Sequence, residues 1–156
     1  MSNVTDLVRD LQDMRDNGYL SDALLRQAVK AIGGSDDRFD WVGAFLVRPE
    51  GGGVWLHNYI GEPAEFAERG AGEGGWGAAV ASGEDHLVPD ATAEGAEPPC
   101  GADVRAQIIV LIRAGDEVYG GIEIGSEEAS VFKDEDVEAI RAITDKLAEQ
   151  IAAERR

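Results

Sequence analysis

His86-Leu-Val-Pro-Asp90, a turn-rich run on to Pro98-Pro-Cys100-Gly101, then Gln107-Ile-Ile-Val-Leu-Ile112 and, past Gly115-Asp116, Val118-Tyr-Gly-Gly-Ile-Glu-Ile-Gly-Ser126 form the stretch whose reading decides the fold. Two apolar runs separated by a turn predict paired strands, and the loop before them carries the only cysteine of the chain. Along the second strand the two-residue period sets Glu123 with Tyr119 and Gly121 on one face, and Ile122 with Ile124 on the other. An acid on the face opposite two isoleucines is either solvated or aimed into a pocket.

Upstream, Trp41 to Val47 alternates in the same way, with Trp41, Gly43, Phe45 and Val47 on one side and Val42, Ala44 and Leu46 on the other. Both sides are apolar, so this strand is expected to be buried on both faces. The turn at Pro49 to Gly53 leads to Val54–Ile60, which predicts an antiparallel hairpin. Gly61 to Gly77, rich in glycine and glutamate, reads as loop, with a short helix over Trp76 to Ala81. At the N-terminus, Val4, Leu7, Val8, Leu11 and Met14 fall at helical spacing, with Ser2 and Asn3 as caps and Asn17-Gly18 as the stop. Ser21 is expected to cap a second helix with Leu24, Leu25, Ala28, Val29 and Ile32 on its stripe, ending at Gly33-Gly34. The stripe Val137, Ile140, Ile143, Leu147 and Ile151 predicts a long last helix, with Asp134, Glu135 and Asp136 at its positive end. Helices over 1–33, sheet and pocket loops over 39–126 and a helix over 134–154 amount to one α+β domain, an antiparallel sheet flanked by N- and C-terminal helices.

With 14 Lys and Arg against 31 Asp and Glu, the net charge is −17. Such a chain repels phosphate backbones and acidic lipid, so neither nucleic acid nor membrane is expected as a partner. A single cysteine rules out an intramolecular disulfide, and no N-terminal apolar run reaches signal-peptide length, so the cytoplasm is the expected compartment.

Three motifs bear on chemistry. Gly70-Ala-Gly72-Glu-Gly-Gly75 has the spacing of a dinucleotide-binding turn, but a charged loop precedes it and no crossover unit follows. His57, His86 and Cys100 lack any recurring ligand spacing, so no metal is expected. Cys100, among prolines and glycine, is either a nucleophile or an inert small hydrophobe. In so acidic a chain a thiolate needs a local cation, for which Arg105 and His86 are the neighbours in sequence.

Phe39-Asp-Trp41-Val-Gly-Ala-Phe45-Leu, Gly75-Trp-Gly-Ala-Ala, Gly120-Gly-Ile-Glu-Ile-Gly-Ser126 and Val131-Phe-Lys-Asp-Glu-Asp136 together resemble a GAF domain over roughly residues 20 to 153. Within that superfamily the chain looks like the free methionine-(R)-sulfoxide reductases. Their pattern has Trp-x-Gly-Phe-Tyr in the first strand, Gly-Val-Cys-Gly before the short helix, and an aspartate ten residues before the catalytic cysteine, a spacing that Asp90 and Cys100 keep. The resemblance implies Cys100 as nucleophile, and Glu123, by its strand face, is expected to assist as proton donor if burial raises its pKa. The resemblance also implies a substrate site formed by Trp41 and Phe45 around the thioether, Gln107 and Glu123 toward the amino group, and Asp90 and Trp76 nearby. Trp76 stands where the family has a resolving cysteine, Glu65 lies near the place of another, Gln107 replaces a glutamate and Gly125 an aspartate. A reductase built this way would need no cofactor, only an external thiol or Cys100 of another subunit to clear the sulfenic acid.

Two functions follow as expectations. One is a Cys100-dependent reduction of a small sulfoxide. The other is a ligand-binding GAF sensor that reports occupancy through its terminal helices. A tetrapyrrole-carrying GAF domain is a third, without the Cys-His pair such domains often have. A homodimer through the terminal helices is expected from their apolar stripes and from the resemblance.

Overall fold

The computed structural model describes residues 3–156, so of the two caps expected for the first helix Ser2 lies outside the described residues. The elements run α1 (Val4–Asp16), α2 (Ser21–Gly33), β1 (Trp41–Val47), β2 (Val54–Ile60), β3 (Glu68–Arg69), α3 (Gly74–Ser82), β4 (His86–Val88), β5 (Ala106–Ala114), β6 (Glu117–Ser126) and α4 (Asp134–Glu154). The six strands form one sheet in the order β3-β2-β1-β6-β5-β4. Every neighbouring pair is antiparallel.

The alternation expected of β1 divides the interior in two. Val42 and Ala44 join Ile108, Val110, Ile122 and Ile124 under α1, α2 and α4, while Trp41 and Phe45 join Trp76, Cys100, Ile109 and Leu111 on the opposite face. Burial of two such layers drives the fold, at roughly 25 cal/mol for each Å² of apolar surface removed from water. The stripes on α1 and α2 that suggested a dimer, among them Leu7, Leu11, Leu24 and Leu25, are buried in the helical layer of the same chain.

Four expectations are corrected. Tyr119 does not share a face with Glu123. The β5–β6 register slips between Ile112 and Arg113, and the extra residue carries Tyr119 into the helical layer, where Arg155 covers its ring at 4.7 Å. Asn3 makes no side-chain cap and sits at φ 63°. Ser21 is the first residue of α2 rather than its cap. Its N–H and hydroxyl both donate to Glu154, at 2.7 and 2.8 Å, so it ties α2 to the end of α4. Finally, the expected loop over Gly61 to Gly77 holds β3, paired with Val54 and Trp55, and α3 starts at Gly74 instead of Trp76.

The start of α4 is anchored to the segment before β1. Arg38 donates to both carboxylate oxygens of Asp136, at 2.7 and 3.0 Å, and to Asp36, while its guanidinium lies 5.6 Å from the Phe39 ring centre and 5.8 Å from that of Phe132. The end of α3 is anchored too: Asp85 accepts from Leu111 N–H at 2.8 Å and from Arg141 of α4 at 2.6 Å. No helix among the described residues is long and apolar enough to cross a membrane.

Candidate functional site

The face of the sheet away from the long helices carries two buried polar side chains, Gln107 on β5 and Glu123 on β6, exposed by 2% and 1%. Alternation puts them there. Glu123 pairs across the ladder with Gly43 and Ile109, and Gln107 with Gly125, so both project on the side of Phe45 and Leu111. The glycines of β6 make room, since a Cβ on Gly121 would stand 2.6 Å from Phe45 Cζ.

Two loops close over this face. Glu65 N–H donates to Cys100 O at 2.8 Å, and Ala64 bridges to Gly101, so the segment after β2 is paired with the cysteine loop. Trp41 supports both: its Nε1 donates to Glu62 O at 3.0 Å, and its ring lies against Gly101, where a Cβ would come within 2.5 Å of Cγ. Trp41 also stacks on Tyr59, with ring centres 5.5 Å apart.

At the centre stands Trp76, projected inward from α3 and 2% exposed. Its indole stacks on Phe45, with centres 4.9 Å apart and planes 13° from parallel, and meets the edge of Phe66 at 4.9 Å. Its Nε1 donates to Glu123 Oε1 at 2.6 Å, and Cys100 N–H donates to Glu123 Oε2 at 3.1 Å. Between Phe45, Glu123 and the cysteine loop the space is filled by the indole. Of the residues expected to line a hollow, Trp41, Phe45, Cys100, Gln107 and Glu123 are brought to this face, and Trp76 fills the space between them.

Burial pushes the Glu123 carboxyl up to about 7, opposed by hydrogen bonds from Trp76, Cys100, Gln107 and Gly101. All four partners are neutral. Burial likewise pushes the Cys100 thiol up to about 12, and the charge of Glu123 adds to the effect. The thiol donates to Phe66 O at 3.1 Å, a bond that only the protonated form can make. The cation that acts on this sulfur is Arg69, whose guanidinium lies 3.5 Å above the Phe66 ring. Arg105, one of the expected cations, is paired instead with Asp90 at 3.2 Å.

Asp90 itself is corrected as a substrate contact. Its carboxylate accepts from Thr92 N–H and Oγ1, at 2.9 and 2.6 Å, and from Arg105, so it shapes the loop from outside the hollow. Phe66 and Arg69 were missed as site residues. An aromatic side chain alone in a stretch of glycine and glutamate was the available signal for Phe66, because such a residue needs an apolar partner brought from elsewhere in the chain.

A direct consequence is low thiol reactivity. At pH 8 a thiol with a pKa of about 12 holds roughly 10³-fold less thiolate than one at the ordinary 9.0. Native protein is expected to react with iodoacetamide far more slowly than denatured protein, as followed by intact mass, because burial of the thiol adds to its low thiolate fraction. Equal rates would place the sulfur in an open, ionisable setting.

The sequence pattern of the GAF domain matches residues 20–152. None of the curated proteins searched matches the sequence. Among solved structures, the free methionine-R-sulfoxide reductase of Neisseria meningitidis, in complex with its substrate, superposes with a TM-score of 0.85 at 20% identity, over 97% of this chain and 90% of that one. The reduced form of the corresponding Staphylococcus aureus protein gives 0.82 at 24% identity, over 97% and 96%. The GAF domain of a phosphoenolpyruvate-protein phosphotransferase from Coxiella burnetii gives 0.83 at 19% identity, over 98% and 95%. The backbone is thus as similar to a domain of a phosphotransferase as to the reductases, and the likeness speaks for the fold alone.

Proposed function

The chain belongs to the GAF domain family, and from that footing we propose that it is a small-molecule-binding module whose ligand site is the hollow around Glu123, acting without thiol turnover. The observation that carries this reading is Glu123 itself, an acid 1% exposed whose hydrogen-bonding partners are all neutral. Burying a carboxyl group with no countercharge costs stability, and a fold keeps such a group chiefly where a ligand supplies the missing partner. The connection to α4 supports a reporting role: α3, which carries Trp76, ends at a loop bonded through Gly83 to Arg113 and through Asp85 to Arg141. A shift of α3 on binding would pull on β5 through Arg113 and on α4 through Arg141.

A second reading, a sulfoxide reductase, is favoured by one arrangement: Cys100 N–H and Trp76 Nε1 both converge on a carboxyl group that titrates near neutrality. In that chemistry the Cys100 thiolate attacks the sulfoxide sulfur and Glu123 supplies a proton to the sulfoxide oxygen. The Sγ–S and S–O bonds of this adduct then break as the oxygen passes to Cys100 Sγ and the thioether leaves. The sulfoxide is thereby reduced and Cys100 oxidised to a sulfenic acid, which two equivalents of an external thiol return to the thiol with release of water and formation of their disulfide. It requires the indole to move and the thiol to ionise first.

The two are separated by assaying methionine-(R)-sulfoxide with dithiothreitol on the wild-type protein and on Cys100→Ser, alongside thermal unfolding with the same compound. Binding without chemistry predicts an equal rise in melting temperature for both proteins and no turnover above buffer, since a ligand that binds only the folded state raises its stability. Turnover by the wild type that vanishes in Cys100→Ser would replace the binding reading with the reductase.

A further inference from the structure

Trp76 makes with its own protein the contacts that a ligand of this site would make. Its flat apolar body is sandwiched against Phe45 at 4.9 Å and against the edge of Phe66 at 4.9 Å, and its one polar atom donates to Glu123 at 2.6 Å. We infer that Trp76 is a displaceable internal ligand of the Glu123 site, and that the molecule it stands in for is a flat, aromatic-bodied N–H donor such as an aryl-ethylamine. This rests on the binding reading above and adds to it the ligand class and the gate.

The element that carries Trp76 is built to give way. α3 has nine residues, three of them glycines (Gly74, Gly75 and Gly77), and no side-chain cap at its N-terminus. Glycine inside a helix is less stable there than alanine, so Gly75 and Gly77 make this a turn of low local stability. The approach to it passes through Gly72 and Gly74, both at positive φ, 76° and 66°. A place for the outgoing indole lies beside it. An apolar groove of about 190 Å³ is lined by Val47, Gly53, Val54, Gly77 and Val80. It continues the face of β1 that holds Phe45 and adjoins the residue that follows Trp76. Displacement therefore exchanges one apolar contact for another, and the ligand needs only to match the hydrogen bond on Glu123. An ammonium does better than match it, because its charge meets the ionised form of the carboxyl group directly.

The test is a ¹⁹F NMR titration of protein labelled with 5-fluorotryptophan, using tryptamine as probe, with the Trp76 resonance assigned through Trp76→Phe. Phenylalanine keeps the aromatic stack and removes the N–H that competes for Glu123. The expected result is a saturable shift of the Trp76 resonance with those of Trp41 and Trp55 unmoved, and at least tenfold tighter tryptamine binding by Trp76→Phe. A Trp76 resonance that stays fixed, or a folded Trp76→Phe that binds tryptamine no better than wild type, overturns the inference. If methionine-(R)-sulfoxide still raises the melting temperature in that case, the binding site survives and only the gate falls. If neither compound binds either protein, both fall.

Discussion

Glu123→Gln is expected to reduce a loss of stability that the wild-type protein shows as pH rises from about 5 to above 7. Burial lifts this carboxyl from its ordinary 4.5 to about 7, against the pull of its hydrogen-bond donors. Between those two values the folded protein holds a proton that the unfolded chain has released, so folding takes up a proton and is weakened by its removal. The contribution is complete below the unfolded value and is lost as pH passes the folded one. A separation of this size corresponds to at most about 3 kcal/mol. Urea unfolding at pH 5, 6, 7 and 8 measures it, and the glutamine variant should lose less stability than wild type over that range, by up to that amount. On the acid side the sign reverses. Arg38 holds the Asp36 carboxyl far below the usual range, and holds Asp136 down despite its burial. Their stabilisation is present above the ordinary carboxylate pKa and lost as pH falls below it. Wild type is therefore expected to be most stable near pH 5, and the part of its loss above that pH that comes from Glu123 is the difference between the two proteins. A variant that keeps the wild-type slope would show that another group titrates there.

The second large effect concerns two adjacent glycines of β6 that differ in what surrounds them. A Cβ on Gly120 would collide with the backbone oxygen of Phe45 in the neighbouring strand, which cannot withdraw without breaking the β1–β6 ladder. A Cβ on Gly121 would meet Phe45 Cζ at 2.6 Å, the far end of a side chain that can tilt. Gly120→Ala is accordingly expected to cost about 3 kcal/mol or more, at the upper end of overpacking, and Gly121→Ala about 1 to 2 kcal/mol. The milder variant reaches the site. Phe45 stacks on Trp76, so tilting the ring loosens the indole from Glu123, and tryptophan emission should shift to the red in Gly121→Ala. Urea midpoints and emission spectra of the two variants check both statements. Equal midpoints would mean that the strand, not the ring, absorbs the added methyl group.

How far the residues could be read depended on whether neighbours in sequence were also neighbours in space. The apolar periods of α1, α2, β1, β2, β5, β6 and α4 are local, and each element formed close to where its period placed it. The two faces of β1 were legible for the same reason: a side-chain period of two holds whatever the partner strand does. Tyr119 escaped this reasoning because a register slip is a property of a pair of strands, and nothing within β6 alone marks it. Ser21 escaped it because Glu154, which takes its hydroxyl, is 133 positions away.

The candidate site divides along the same line. Sequence by itself determined the strands that carry a lone cysteine's neighbours, an acid opposite two isoleucines and two aromatic side chains, because pattern and spacing are one-dimensional properties, and the likeness of its motifs to the GAF domain placed those strands in one sheet. Only the tertiary structure decided what these groups are to one another: a protonated thiol held by a backbone carbonyl, a buried acid whose hydrogen-bonding partners are neutral, and an indole packed between Phe45, Phe66 and that acid. Those facts depend on which side chain reaches a given volume first, and packing in three dimensions settles that. Trp41, from a strand, and Trp76, from a short helix, thus end on the same face in different roles, Trp41 beneath the loops and Trp76 on the acid.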